Sequence, residues 1–594
     1  MSQKKLTETP NNNSTRAHEL AKKQRAISVS EFFEKNRHLL GFDNKRKALM
    51  TTIKEAVDNS LDACEESNVL PELIVEVIDM GGDRFRIIVE DNGPGILKKQ
   101  IPNIFAKLLY GSKFHSMKQS RGQQGIGISA SVLYSQLTTG RPTKIISRIS
   151  RDHKAYYYEL GIDTVNNKPK IINNCETEFN KDQGTRVELD IEASYLGGSQ
   201  SIDEYLKETA IANPHATIIY TNPKAEQIIF PRVIESLPRE PKEIKPHLYG
   251  VELGTMMRML QSTDARTLQS FLTGDFVRVG PGAAKNICEN ARLLPSTKPK
   301  KMSREMTEQL MEGIKKTRLM VPPMDCISPI GSEALEKGLR KEINAEFYAT
   351  VTRPPAVYRG NPFIIEAGIA YGGNQESDNT IRVLRFANRV PLLYQQGACA
   401  ITKSITSTTW RNYGLSQSRN SLPVGPATIT VHIASVWVPF TSESKESIAH
   451  YPEIIKEIKL AISEVGRKLA SYVGKKKRLL AESKKRGHIE KYMPIIADSL
   501  KDMLDLSDSD KKTVEENLSE ILEYTRGKLE DIEFDPAKNV DYDEEFASIG
   551  KETAEKAPQE SQEKLEDNAE NSKSKEKKSK SGKSKAEKPK GGGK

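Results

Sequence analysis

Cysteine is scarce and scattered in this chain. The five, Cys64, Cys175, Cys288, Cys326 and Cys399, form no C-x-x-C pair and have no histidine cluster beside them. Neither a zinc ribbon nor a disulfide framework is supported, and a reducing compartment fits. Long apolar runs are also missing. No stretch approaches the roughly 18 residues a membrane span needs, and the polar start MSQKKLTETPNNNS has no signal-peptide core. The expectation is a soluble, cytoplasmic protein with no membrane partner. Aromatics make up 6% and hydrophobic residues 37% of 594 positions, too few for a chain folded throughout. From about Ile549 aromatic residues vanish and the chain runs out in SKSKEKKSKSGKSKAEKPKGGGK, a disordered Lys-rich tail serving either solubility or electrostatic contact with nucleic acid. The net charge of +10 therefore says little about the folded part. What remains exceeds one hydrophobic core and predicts three or four folded units.

The stretch EAVDNSLDAC lies on a helix predicted from about Lys45 to Glu66. At 100° per residue, Leu49, Met50, Ile53, Val57, Leu61 and Cys64 share one side, and Glu55, Asn59 and Asp62 lie opposite. A solvated acidic face would look the same, so this segment alone leaves both readings open. Two alternating strands follow, ELIVEVIDM and RFRIIVE, joined by Gly-Gly as a hairpin. The second runs into Asp91-Asn-Gly-Pro-Gly95, by itself an ordinary turn signal. Next come Gly111-Ser112-Lys113 and SRGQQGIGISA, whose glycines lead into an apolar helix, and later Gly184-Thr185 entering a strand. Such a loop brings backbone N–H groups to phosphates at the positive end of a helix. It is neither a P-loop nor a dinucleotide fingerprint, because no G-K-[ST] follows and the spacing is wrong.

In this order the pieces resemble the GHKL ATPases, the superfamily of gyrase, heat-shock chaperones, histidine kinases and MutL. The resemblance implies an α/β multidomain protein whose ATPase domain is a layered α/β sandwich (Bergerat fold), with ATP and Mg²⁺ as cofactors. Asn59 then holds Mg²⁺ through its amide oxygen, and Glu55 beside it orients or deprotonates water. Asp91 accepts from the adenine amino group and Gly95 leaves room for the base. Ser112, Lys113, Arg121, Gly122, Gln123, Gln124, Gly125, Ile126, Gly127, Ile128 and Thr185 complete the expected ATP contacts. Of these, Lys113 and the amides of residues 122–127 neutralise phosphate charge.

From about Pro238 to Pro322 the pattern is helical, and VRVGPGAAKNICE carries a Gly-Pro-Gly turn that suits either a helical spacer or a phosphate-touching module. Strands return near Asp325 and precede the junction VPFTSESKESIAHY and a long helical tract from about Ser447 to Leu504. In GHKL enzymes with a transducer domain, a lysine after such a strand reaches the ATP γ-phosphate. Lys445 matches that place, and Lys403 in CAITKSI is the competitor.

Over roughly residues 17–505 the layout is similar to the B subunits of archaeal-type (type IIB) DNA topoisomerase VI, closest in EFFEKNRHLLGFDN, FAKLLYGSKFH, RGQQGIGISA and PFTSESKESIA. The resemblance implies ATP binding and hydrolysis, an ATP-dependent B–B dimer and a DNA-cleaving A subunit in an A2B2 heterotetramer. It also implies passage of double-stranded DNA. The expected division is an N-terminal arm (1–27), a GHKL ATPase domain (28–235), a helix-two-turns-helix insert (236–324), a transducer domain with long helix (325–505), an acidic helical segment (506–548) and the disordered tail (549–594). Gyrase-type B subunits carry an acidic TOPRIM cluster, absent here, and no phosphoacceptor histidine helix precedes Glu55. The extra C-terminal β-sandwich of some relatives is not expected either. A second reading makes the chain a nucleotide-switched clamp or chaperone acting on protein clients.

Overall fold

The computed structural model describes residues 20–526, save Lys22, Arg25, Phe114, His115, Gln123, Ser199 and Glu443. Most of the predicted N-terminal arm, the second half of the acidic segment and the Lys-rich tail lie outside the described residues. The chain divides into two units, residues 1–482 and 483–594.

The first unit is built on two sheets. Strands β1 (Glu72–Asp79), β2 (Arg84–Glu90), β3 (Thr143–Arg148), β4 (Ala155–Asp163), β5 (Lys168–Thr177), β6 (Gly184–Glu192), β7 (Thr217–Thr221) and β8 (Gln227–Phe230) form an eight-stranded sheet. Its order is β5-β4-β3-β6-β2-β1-β7-β8, antiparallel throughout except for the parallel pair β1 and β7. The predicted hairpin forms with Asp79 opposite Phe85, and β1 alternates half-buried and buried as its sequence does. Helices α1 (Lys45–Glu66), α2 (Gly127–Thr139) and α3 (Ile202–Ala212) join this sheet in one core, where Leu49, Ile53, Val57 and Leu61 meet Val75, Ile87, Leu133 and Leu206. Asn44 starts α1, its side chain accepting from the Lys47 N–H at 2.8 Å.

No strand is assigned between Phe230 and Phe347 among the described residues. Four helices, α4 (Leu253–Ser262), α5 (Leu268–Asp275), α6 (Pro281–Ala291) and α7 (Arg304–Lys316), enclose their own core of Met256, Leu260, Phe271, Ile287 and Leu310. Gly280 caps α6 with Pro281 following it, the arrangement that the fixed proline φ favours.

The second sheet contains β9 (Phe347–Thr352), β10 (Ala356–Tyr358), β11 (Asn361–Tyr371), β12 (Arg382–Ala387), β13 (Val390–Pro391) and β14 (Ala427–Ser435). Its order is β10-β11-β14-β12-β13, with β9 also on β11, and β12 runs parallel to the wholly buried β14. Helix α8 (Ser332–Glu342) joins the two sheets. A Cβ at its Gly338 would fall 2.4 Å from the Ile211 carbonyl of α3, so glycine is what lets these helices touch.

A 53-residue helix, α9 (Pro452–Leu504), follows. It begins five residues later than expected because residues 439–449 close a loop ahead of it. In the first unit its apolar positions Ile454, Ile458, Ile462, Val465 and Leu469 are buried, and Tyr472 stacks on Phe347 at 4.6 Å. In the second unit its remainder is followed by a helix at Asp508–Arg526, the described part of the predicted acidic segment.

Candidate nucleotide site

The end of β2 makes one wall. Asp91 is buried and both its oxygens are engaged: Oδ1 accepts from the Gly93 N–H at 2.9 Å and the Thr185 N–H at 3.1 Å, and Oδ2 from Ser60 Oγ at 2.9 Å. Burial pushes its carboxyl above the ordinary value, and these three hydrogen bonds oppose the shift. Two glycines make the wall possible. Gly95 has φ +67° and a Cβ there would lie 2.1 Å from the Arg148 carbonyl; Gly184 has φ +141° and would meet the Asp91 carbonyl at 2.2 Å. DNGPG and the later Gly-Thr are thus one backbone-to-backbone junction. Thr185 further bonds Ser147 Oγ at 3.1 Å, and Ser147 Oγ receives the Ile96 N–H at 2.8 Å.

Helix α1 supplies the second wall. Val57, Leu61 and Cys64 are fully buried, as the periodicity required. Asn59 is exposed and its side chain makes no protein hydrogen bond among the described residues; its Oδ1 lies 3.8 Å from where a Cβ of Gly122 would be. Glu55 rests on the first residue of α2: a Cβ at Gly127 would sit 1.6 Å from Glu55 Oε2. No side chain caps α2, so its first N–H groups are left for another acceptor. An exposed amide oxygen, a carboxylate one turn away and an uncapped helix start form a donor and acceptor set that fits a magnesium-bound polyphosphate.

The lid departs from expectation in its cations. Lys113 reaches Asp62 at 2.8 Å and Glu66 at 3.0 Å, so its charge goes to carboxylates of α1. The Arg121 guanidinium is buried and binds Asp62 Oδ1 (2.7 Å), Glu65 (2.7 and 3.0 Å) and Asn213 Oδ1 (2.5 Å). A phosphate drawn to either side chain would compete with these carboxylates for its charge. Asp62 is itself buried; burial raises its carboxyl, but Lys113 and Arg121 outweigh that and hold it below the ordinary value. Ser112 is exposed, Gly122, Gln124, Gly125 and Ile126 are half-buried, Ile128 points into the core, and Gln123 lies outside the described residues.

Lys445 comes to the lid from the second sheet. Its Nζ donates to the Arg121 carbonyl at 3.1 Å, across 324 residues of sequence. With Asp58, Asn388 and Val438 it lines a small cavity of about 20 Å³, room for a single water. Burial pushes the Asp58 carboxyl up to about 7, and Tyr205 donates to it at 3.3 Å. Lys403 is exposed on the short helix Ala400–Thr406.

Beneath the site runs a charge network that the sequence reading missed. Glu65 accepts from Arg121, contacts His215 Nε2 at 2.8 Å and meets Arg389 at 3.4 Å. Arg389 also donates to Ser328 Oγ at 2.7 Å, and its backbone N–H donates to His432 Nε2 at 3.0 Å. His432 Nδ1 lies 2.7 Å from Glu366, which accepts the N–H groups of Ile330 and Gly331. A signal was present: Glu366 and His432 are the lone acidic or basic residues of their strands, and they sit directly opposite in register.

An eight-stranded mixed sheet with an E-x-x-x-N helix, a D-x-G-x-G strand end and a glycine-rich lid defines an ATP-binding protein of the GHKL class. Residues 44–193 match the family described as histidine kinase-, DNA gyrase B- and HSP90-like ATPase, and residues 322–486 match the topoisomerase VI B subunit transducer. The chain is 53% identical over 490 residues to the B subunit of type 2 DNA topoisomerase 6 from Methanococcoides burtonii, covering 82% of this chain and 79% of that one. It is 50% identical to its counterpart from Methanosarcina acetivorans over 490 residues (82% and 79%) and 48% identical to that from Archaeoglobus fulgidus over 484 (81% and 80%). The chain belongs to the family of B subunits of type 2 DNA topoisomerase 6, the ATPase subunits of type IIB topoisomerases. The clamp or chaperone reading is not favoured.

Proposed function

We propose that this chain binds and hydrolyses Mg·ATP, and that two copies close on each other as Lys445 engages the γ-phosphate. The closed pair encloses a double-stranded DNA segment passed through a break made by an A subunit, in an A2B2 assembly that relaxes supercoils. The carrying observation is the reach of Lys445 from the second sheet to the Arg121 carbonyl. A cation held there can stabilise charge on the transferring phosphate and report whether that phosphate is present. Glu55, set between Asn59 and Gly127, orients or deprotonates the attacking water. Asp91 takes the adenine amino group; Gly95 and Gly184 serve it by letting the backbones that frame Asp91 pack together rather than by leaving space for the base.

The Asn59 amide oxygen would hold Mg²⁺, which supplies charge neutralisation between the phosphates. Among the described residues no group of three or more His, Cys, Asp or Glu could hold a metal by itself, which suits an ion ligated mostly by nucleotide and water. None of the described helices is long and apolar enough to cross a membrane, in keeping with a cytoplasmic enzyme. We assign the ATPase role to residues 28–235, the spacer or DNA-touching role to 236–324 and transmission to 325–505, with 1–27, 506–548 and 549–594 as appendages.

The test is size analysis with and without a non-hydrolysable ATP analogue. The unaltered chain and Lys403→Ala should dimerise with the analogue, and Lys445→Ala should not. Dimerisation by Lys445→Ala together with failure of Lys403→Ala would overturn the assignment.

A further inference from the structure

Lys445 sits in a loop closed at its base. Phe440 and Ile448 form a bridge, the Thr441 N–H donates to the Ser447 carbonyl at 2.9 Å, and the Ala449 N–H to the Pro439 carbonyl at 2.8 Å. Within it Lys445 has a left-handed backbone, φ +53°, uncommon for a residue with a side chain. Local preference therefore does not set this shape. Glu446, the next residue, turns inward, is 5% exposed and forms an ion pair with Lys47. Lys47 is in the first turn of α1, two turns before Glu55, and also meets Asp43 at 3.2 Å and the Tyr394 ring at 5.7 Å. Burial tends to lower the Lys47 ammonium, but Glu446 and then Asp43 outweigh it and hold it above its ordinary value. On the far side, Ser447 Oγ donates to Gln395 Oε1 at 3.4 Å.

Two neighbouring residues thus address opposite ends of one machine, Lys445 the lid and Glu446 the helix that carries Glu55. We propose that Glu446, through its buried ion pair with Lys47, is the positioning residue that aims Lys445. A lysine ammonium rides on a flexible four-carbon stem with many accessible rotamers. Anchoring the adjacent residue to α1 fixes where the ammonium arrives and ties that point to the water-activating carboxylate. Removing Lys47 leaves the buried Glu446 carboxylate unpaired, so the loop must shift to hydrate it; removing the Glu446 charge leaves Lys47 to Asp43 and releases the loop from α1. This proposal rests on Lys445 being the γ-phosphate lysine.

The experiment measures steady-state ATP hydrolysis and thermal stability of the full chain carrying Glu446→Gln, Lys47→Met, Lys47→Arg, Lys445→Ala and the double change Glu446→Gln/Lys445→Ala. Misplacement of about 1 Å costs up to a hundredfold. Glu446→Gln and Lys47→Met should therefore lower kcat about ten- to a hundredfold, with KM for ATP changed less than about twofold. Lys47→Arg, which keeps the charge, should retain most of the rate. In the Lys445→Ala background, Glu446→Gln should cost nothing further, because nothing remains to aim. Additive losses, or an unchanged kcat in Glu446→Gln beside an impaired Lys445→Ala, would overturn the proposal and leave the role of Lys445 standing. A normal rate in Lys445→Ala would remove both.

Discussion

Gly127→Ala tests the base without replacing it. The added Cβ would fall 1.6 Å from Oε2, 2.4 Å from Cδ and 3.0 Å from Cγ of Glu55. To regain an ordinary contact of about 3.5 Å, the carboxylate must retreat by roughly 1.9 Å. All three atoms belong to the free end of a flexible side chain, so the fold yields easily while the carboxylate moves. Alanine at a helix start is at least as favourable as glycine, by up to about 1 kcal/mol, so the melting temperature should hold or rise slightly. Since about 1 Å of misplacement costs up to a hundredfold and a general base contributes 10² to 10⁴-fold in all, kcat should fall about a hundredfold. That corresponds to roughly 2.7 kcal/mol in the barrier. The assay is steady-state ATP hydrolysis beside analogue-driven dimerisation, which should persist because Asn59, Asp91 and Lys445 are untouched. Wild-type turnover in Gly127→Ala would refute the placement of Glu55 on Gly127 in the reacting state.

A contrasting glycine should behave differently. At Gly184 the added carbon meets the Asp91 carbonyl at 2.2 Å with φ +141°, and neither backbone can yield. Gly184→Ala should lose several kcal/mol, on the order of 3, and nucleotide binding with it; an unchanged melting temperature and affinity would count against the junction. Glu65→Gln should show a pH signature. Burial raises the Glu65 carboxyl, but Arg121, His215 and Arg389 outweigh it and hold it well below the usual carboxylate range. As pH falls below about 4.5 the unfolded chain takes up this proton first, so the stabilisation is complete at higher pH and is lost in acid. The variant should be less stable at pH 7, by about 3 kcal/mol or more, and the deficit should shrink below about pH 4.5. A melting-temperature deficit constant from pH 7 to 3 would show that the network is not ionic.

Helix α1 was legible because its apolar spacing lies within one helix: Lys45–Glu66 was expected and is observed. The hairpin, the DNGPG strand end and the apolar helix α2 after the glycine-rich loop were legible for the same reason, since each is set by neighbours a few residues away. Asp62 was placed opposite the core and is buried, because the lid that covers it lies about 50 residues downstream. Lys113 and Arg121 looked like phosphate ligands; residue type gave the charge, and only the fold revealed carboxylates already bound to them. Glu446 offered no local signal at all, being one charge in a serine-rich loop.

By itself the sequence determined the class of protein and, with it, the water-activating and metal-binding candidates on α1; that Gly95 and Gly184 are needed where two backbones meet came from the fold. The class and the candidates follow from short motifs whose order resembles the GHKL ATPases, together with residue chemistry, and both are read without knowledge of distant partners. Only the tertiary structure decided that Lys445 reaches the lid, that Glu446 pairs with Lys47, and that Glu65 and Arg389 tie the two sheets together. Each depends on which distant charges share one buried place, and the energy of a charge in a protein is set by that company and by the water it has lost.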